Sequence, residues 1–514
     1  MNRTTLSLLA ACTALAAVTG VASLTAPGEE PAPTTAAADR LPVERSELLC
    51  PQPSLSDLAE TDYTAFTPGG GSGDRSGARS GARLLPATEA PESGDGGDDG
   101  KAGDDGKAGK AGDEPDPFLA LEKPGVPVTA AAPDGGGAPA LVGTADGALA
   151  PGWSAQQTTV VSSGEGRGVY GVACAAPDSE FWFPGVSAAE TRQDYIELTN
   201  PDDTAAVVDL ELHGAKGPVE TEAGEGITVP PRSATSVLLS TLAPGGAADL
   251  AAHVVARSGR VGAAVRATDE RTGGDWLTPA AVGTGSAVLP GIPEDATSVR
   301  LVALATGDGD ADLKVELAGP TGSFTPAGHE TLNLKRGMVT AVDFDDLTKG
   351  EPASLVLTRA EGAESAPFAV ALQVIRGKGG AREMAFLPAA GPVQGRATAA
   401  DNRAKGSVLS LTAPGEAAKV KVTASAGSGG GEPVSKEYTV RAGTTLRVDP
   451  PVPSGGKGVH ALTVERVSGG PLHAARMLAL PSGKTPMFTL QTLPDDRGTV
   501  VVPDAREDLS LLMR

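Results

Sequence analysis

Val208-Asp209-Leu210-Glu211-Leu212 alternates apolar and charged residues. The pattern returns as Leu313-Lys314-Val315-Glu316-Leu317, and again as Ala418-Lys419-Val420-Lys421-Val422, two steps of 105 residues from position 208. A period of two is that of a strand with one buried face. Recurrence at a fixed long interval marks a repeated unit. The neighbours repeat in step. Before each of these strands lies another, at 195–199, 299–304 and 408–411, joined to it by a polar turn such as Asn200-Pro201-Asp202-Asp203. After each comes a pair of strands with a turn between them, at 227–239, 332–344 and 438–448. A hairpin follows, at 254–265, 355–374 and 462–478. Each unit of about 100 residues thus holds some six or seven short strands with regular turns, the pattern of an immunoglobulin-like β-sandwich.

The expected fold is all-β: four tandem sandwich domains projecting outward in a row, over 41–180, 181–284, 285–384 and 385–514, preceded by a hydrophobic helix. Apolar-Pro runs mark the joins: Phe181-Trp182-Phe183-Pro184-Gly185, Val288-Leu289-Pro290-Gly291, Phe386-Leu387-Pro388 and Val501-Val502-Pro503. A last strand, Leu509 to Met513, is expected to pack back as an edge strand. The first domain reads as a degenerate copy. Ser46 to Pro51 matches Tyr195 to Pro201, and Val160 to Cys174 matches the closing hairpins. Between them, 67–117 is a Gly-, Asp- and Lys-rich run with too little apolar surface to offset the entropy of ordering it, so it is expected to be disordered.

The chain has 514 residues and a formal net charge of -22. Such an acidic surface repels phosphate backbones and anionic lipid, which excludes nucleic acid as a partner and a basic-patch route to membranes. Leu6 to Leu24 carries no charge in nineteen residues. It reads as a signal peptide or a membrane anchor within 1–26, and Leu9-Ala10-Ala11-Cys12 also has the form of a lipidation site. Cys50 and Cys174 are the remaining cysteines. Two cysteines in an exported chain read as one disulfide, here tying the two ends of the first domain.

Leu49-Cys50-Pro51, Val172-Ala173-Cys174, Trp182-Phe183-Pro184-Gly185 and Asn200-Pro201 together resemble the pattern of a family of exported actinobacterial proteins of unknown function. The resemblance implies export and sandwich repeats, and brings no catalytic residues. The richness in Ala, Gly, Asp and Arg is similar to that of GC-rich actinobacterial proteins.

Chemistry-bearing motifs are sparse. The five histidines are scattered without metal-site spacing, and the cysteine count excludes a thiolate zinc site. Asp308, Asp310 and Asp312 form the weak calcium candidate, but Leu313 and Gly319 stand where a calcium loop needs Gly and Glu, so the run reads as a turn. No nucleophile motif occurs, and Gly483-Lys484-Thr485 lacks the first glycine of a phosphate loop. Asp343, Asp345 and Asp346 are the nearest carboxylate cluster for a hydrolase. Phe181-Trp182-Phe183 is expected to be buried between repeats rather than to form a sugar platform. The sequence therefore predicts a non-catalytic, cofactor-free protein outside the cytoplasm, secreted or anchored through the N-terminal helix only. It would have a structural or protein-interaction role, its partner an envelope protein or cell-wall component. A cell-wall glycan-binding module is the alternative, and a hydrolase comes last.

Overall fold

The computed structural model describes residues 39–53, 56–69, 80–87, 116–133, 138–243, 246–344, 347–362 and 366–502. The segment 1–26, Asp345, Asp346, most of the 67–117 run and the strand expected at Leu509 to Met513 lie outside them. The chain is all-β. No helix among the described residues is long and apolar enough to cross a membrane. Pro42–Thr499 forms one compact body, and Met1–Leu41 groups with Val500–Arg514. Asp39–Pro42 pairs with Thr499–Val502 as a two-stranded sheet.

Within the body, strands gather into four two-sheet modules, I to IV, with one pairing order. In module II the first sheet runs Glu180–Val186, Leu250–Ser258, Ala206–Gly214, with Gly217–Val219 and Ile227–Val229 both on the last of these. The second runs Ala234–Leu238, Arg192–Thr199, Gly262–Asp269, Gly273–Leu277. Between them, Val208, Leu210 and Leu212 meet Ile196, Leu198 and Val265 in one core. The alternation of the opening sequence signal is thus the inward row of a strand whose other residues face out. Modules III and IV repeat this order from Ser286–Ile292 and Arg396–Asn402. Module I repeats it from Arg45–Cys50 to Gly168–Ala173.

Several expectations change. Arg45–Cys50 is an opening strand, equivalent to Glu180–Val186 and not to Arg192–Thr199, so module I is offset by one strand from the copy read in the sequence. The run at 67–117 is not uniformly disordered. Gly81–Pro86 is a strand in the first sheet, because Ala82 and Leu84 alternate and both are buried in the core. The Pro-containing joins are of two kinds. Pro184 and Pro290 lie inside opening strands, at a bulge followed by Gly185 (φ 100°) and Gly291 (φ 89°). An edge strand at a bulge tolerates Pro. Phe386-Leu387-Pro388 instead belongs to Glu383–Pro388, the closing strand of module III, so a boundary at 385 cuts through a strand.

The larger change is that the modules do not follow one another in an open row. Each opening strand lies on the second sheet of the next module. Leu49 packs on Gly262, Trp182 on Val302, and Gly291 on Ser410 and Ala475. Ala400 of module IV then packs on Phe66 of module I and completes the circuit. Polar contacts follow the same path. Gly274 N–H donates to Arg167 O (3.0 Å), and Met384 N–H to Thr272 O (2.8 Å). Thr445 N–H donates to Gly319 O (2.9 Å). Asp401 N–H donates to Gln156 Oε1 (2.6 Å), which joins module IV to module I. The body is a closed ring of four sandwiches.

The inward strands explain the closure. Val302, Leu304 and Ala369 face the neighbouring module while Leu301, Ala303 and Val370 face their own core. Strands buried on both faces read as unbroken apolar runs, as in Leu301 to Ala305 and Phe368 to Leu372. Cores are also shared. Met384 and Phe386 of module III enter the core of module II, and Phe488 and Leu490 of module IV enter that of module III.

Candidate functional site

The four closing strands, Gly168–Ala173, Gly273–Leu277, Glu383–Pro388 and Phe488–Thr492, meet where the modules converge. Small residues permit the approach. A Cβ on Gly171 would lie 2.6 Å from Thr489 Cγ2, and one on Gly274 would lie 2.0 Å from the Tyr170 hydroxyl. On this junction stands Asp275, fully buried. Its Oδ1 accepts from the backbone N–H of Trp276 (2.8 Å) in module II and of Gly171 (3.2 Å) in module I. It also accepts from Thr489 Oγ1 (3.0 Å) in module IV. One carboxyl oxygen therefore receives hydrogen bonds from three of the four modules. Burial pushes its pKa well above the usual carboxylate range, against the pull of these donors.

A second layer ties module IV to module I. Gln156 Nε2 donates to Gln491 Oε1 (3.0 Å), and its Oε1 also accepts from Arg476 Nη2 (3.3 Å). Thr158 Oγ1 donates to Asp401 Oδ2 (2.8 Å), while Arg403 pairs with Asp401 Oδ1. Arg476 is fully buried, and burial pulls it down to about 10, with Asp401 the leading opposing charge. Near modules I and II, the fully buried Glu383 of module III lies 3.6 Å from Arg167 Nε. Burial raises its carboxyl to about 8, and Arg167 acts in the opposite direction. Arrays of this kind fix orientation where each member depends on its neighbours. Asp275 and Arg476 are both closed off from solvent.

The outer seams differ from one another. Gly214 O, at the end of the third strand of module II, accepts from Val339 N–H (3.0 Å), just before Thr340–Phe344 of module III. The same joint between III and IV is the Thr445 to Gly319 hydrogen bond. At the corresponding place between I and II, Ala87 and Ser233 face a cavity of about 380 Å³. Gln52, Pro139 and Ala140 complete the module I wall, with Pro230, Ala234 and Thr235 opposite.

The residues singled out in the sequence have these places. Cys50 and Cys174 form a disulfide, from the end of the module I opening strand to the residue after its closing strand. Asp308 pairs with Arg336 (3.1 Å). Asp310 takes Lys335 Nζ (2.7 Å) and the Arg336 N–H (3.0 Å), and Asp312 takes Asn333 Nδ2 (2.6 Å). Protein donors thus occupy the three carboxylates of the calcium candidate, in the turn and strand start that lead from Ala296–Ala305 in one sheet to Ala311–Ala318 in the other. Asp343 pairs with Arg300. Trp182 is buried against module III and stacks on His253 (centroids 3.9 Å), which bridges Glu180 (3.0 Å) and Glu211 (2.9 Å). Asp275, Arg476, Glu383 and Gln156 were not anticipated. The available signal was a charge or amide inside a small, otherwise apolar strand, as in Gly273-Gly274-Asp275-Trp276-Leu277.

Two comparisons bear on this arrangement. The model of a family described as a family of unknown function (DUF5719) matches residues 128–451. No curated protein matches the chain.

Proposed function

This chain belongs to the DUF5719 family of unknown function, and from that starting point we propose that it is a non-catalytic, exported cell-envelope protein whose closed ring is a rigid platform for structural or protein contacts. The observation that carries the reading is the Asp275 junction, where one carboxyl takes hydrogen bonds from three of the four modules. Buried polar groups used this way hold the modules in one orientation, and that fixes the outward loops and sheet edges relative to one another. Surfaces of that kind suit main-chain and loop recognition.

Export is supported by the uncharged Leu6 to Leu24 run and by the Cys50–Cys174 disulfide, a bond that persists in oxidising compartments. The chain is then secreted or anchored, and the resemblance to exported actinobacterial proteins belongs to the same proposal. We read each module as immunoglobulin-like. Its first, second, third and last three main strands pair as B-E-D and C-F-G do in that fold, with one added strand beside C. A glycan-binding role needs exposed aromatic faces. Trp153, Trp182 and Trp276 are only 3%, 7% and 2% exposed, which favours the protein platform.

Crosslinking in intact cells, followed by separation of membrane, medium and cytoplasm, tests the proposal. The expected result is protein outside the cytoplasm crosslinked to envelope proteins. Recovery in the cytoplasm sinks export. Capture of wall glycan with no protein partner replaces the platform by the glycan reading.

A further inference from the structure

We infer that Arg476 and Gln491 form a buried binding site for a small inorganic anion, of halide size, in the seam between modules IV and I. The argument starts from position. Val265 in module II pairs with Ile196 and Leu277, and Leu372 in module III pairs with Leu301 and Leu387. All six are apolar and buried in the module cores. At the same place in module IV, Arg476 pairs with Leu409 and Gln491. The repeat therefore sets a guanidinium beside an amide where modules II and III set two aliphatic side chains. The polar pair meets Gln156 of module I, whose amide bonds to both.

Three donors of this pair are unmatched. Arg476 is fully buried, and Gln491 is nearly so. Arg476 Nη2 donates to the uncharged Gln156 Oε1 (3.3 Å). Its Nε and Nη1 have no partner, and neither has Gln491 Nε2. The pair and Gln156 stand within two unbroken runs of described residues, 366–502 and 138–243. Side chains directly opposite on neighbouring strands are close enough to share one acceptor. Charge points the same way. Asp401, the leading opposing charge, already faces Arg403 and accepts from Thr158 Oγ1. Burial pushes Asp275 toward its uncharged form. Burial lowers Arg476 only to about 10, so it stays a cation at neutral pH. A buried cation without a paired anion is costly. A small anion supplies the missing charge and accepts from the unmatched donors. A halide suits the place because it accepts from any direction and adds no polar hydrogen that would need a partner of its own. The site goes beyond the platform reading and does not depend on it.

The test melts the purified full chain in sodium chloride and in sodium gluconate at equal ionic strength. Gluconate is too large and too polar for a closed interior. The expected result is a saturable rise in midpoint with chloride of about 2 °C or more, because an ion bound only by the folded state stabilises that state. Arg476→Leu copies the residue of module III and is expected to fold and to lose the chloride dependence. Gln491→Leu copies Leu387 and is expected to raise the chloride concentration at half-effect at least about tenfold. Crystals of the unmutated chain grown in sodium bromide give a second measurement. The expected result is an anomalous peak within hydrogen-bond distance of Gln491 Nε2 and of Arg476 Nε or Nη1. The inference is overturned if the wild-type midpoint is the same in the two salts, or if Arg476→Leu keeps the full chloride dependence. Bromide found at surface positions alone, an adventitious ion only, overturns it too. If Arg476→Leu does not fold, the bromide map decides by itself.

Discussion

Asp275 shows how much one residue can carry in a ring. Removing its carboxyl leaves Gly171 N–H and Thr489 Oγ1 without their acceptor in a buried junction. Each buried group so orphaned costs about 1–3 kcal/mol. Asp275→Ala is therefore expected to destabilise by about 3–5 kcal/mol in denaturant melts. Asp275→Asn keeps an acceptor oxygen and is expected to cost less than half as much. An alanine variant with an unchanged midpoint would show that the junction is not stabilising. Glu383 makes a pH prediction. Its carboxyl is raised to about 8 in the fold, above the ordinary 4.5, so its favourable contribution is complete below 4.5 and is lost as pH rises through 8. His460 and His473 are depressed to about 4 by burial. Their contribution is complete above 6.5 and is lost as pH falls through 4. Glu383→Gln is expected to shrink the alkaline decline in thermal stability between pH 5 and 9, with the raised Asp275 carboxyl supplying a remainder, while keeping the acid one. An alkaline limb of undiminished size in that variant would assign it to another group.

At the scale of the element, the closing strands decide whether modules can join. Gly273–Leu277 and Glu383–Pro388 are buried along their whole length, and the other two are nearly so. Such a strand has no solvent face and tolerates no added volume at the contact points. Gly171→Val is expected to destabilise by roughly 3 kcal/mol or more, because its Cβ would already lie 2.6 Å from Thr489. Gly322→Ala, where a Cβ meets open space, is expected to be silent in the same melt. Equal effects would mean that the close approach is not constraining. The strand Gly81–Pro86 carries the complementary lesson. Its two inward residues, Ala82 and Leu84, are enough to place it in a sheet although low-complexity sequence flanks it.

For the whole molecule, shared cores predict shared fate. Phe488 and Leu490 belong to module IV by sequence and to the core of module III by packing. Calorimetry is therefore expected to show one cooperative transition for the ring. Four separable transitions would mean that the modules are energetically independent. The Cys50–Cys174 bond closes module I over a separation of 124 residues. In the chain-entropy model a loop of that length gives an upper value of about 5 kcal/mol. Replacing both cysteines by alanine is expected to lower the midpoint of that single transition, with no early unfolding of module I alone. A separate low-temperature transition would instead place the disulfide outside the cooperative unit.

Alternation at Val208 to Leu212 and its two echoes settled strand, repeat and inward face, because side chains on a strand alternate whatever surrounds it. Turn residues at matched positions marked where strands end, but the strands on either side of the turns at 200–205, 230–233 and 259–261 lie in different sheets and do not pair, so the expected hairpin at 254–265 is a crossing between sheets. Ring closure was beyond that reading. It depends on Phe66 meeting Ala400, and Gln156 meeting Asp401, across hundreds of residues. The unbroken runs at Leu301 to Ala305 and Phe368 to Leu372 announce a second buried face without saying what covers it. Asp275 looks like any polar residue until two other strands arrive to donate to it. Local chemistry fixes periodicity and turns, whereas burial of a second face and partnering of a lone carboxyl are properties of contacts that only the assembled chain makes.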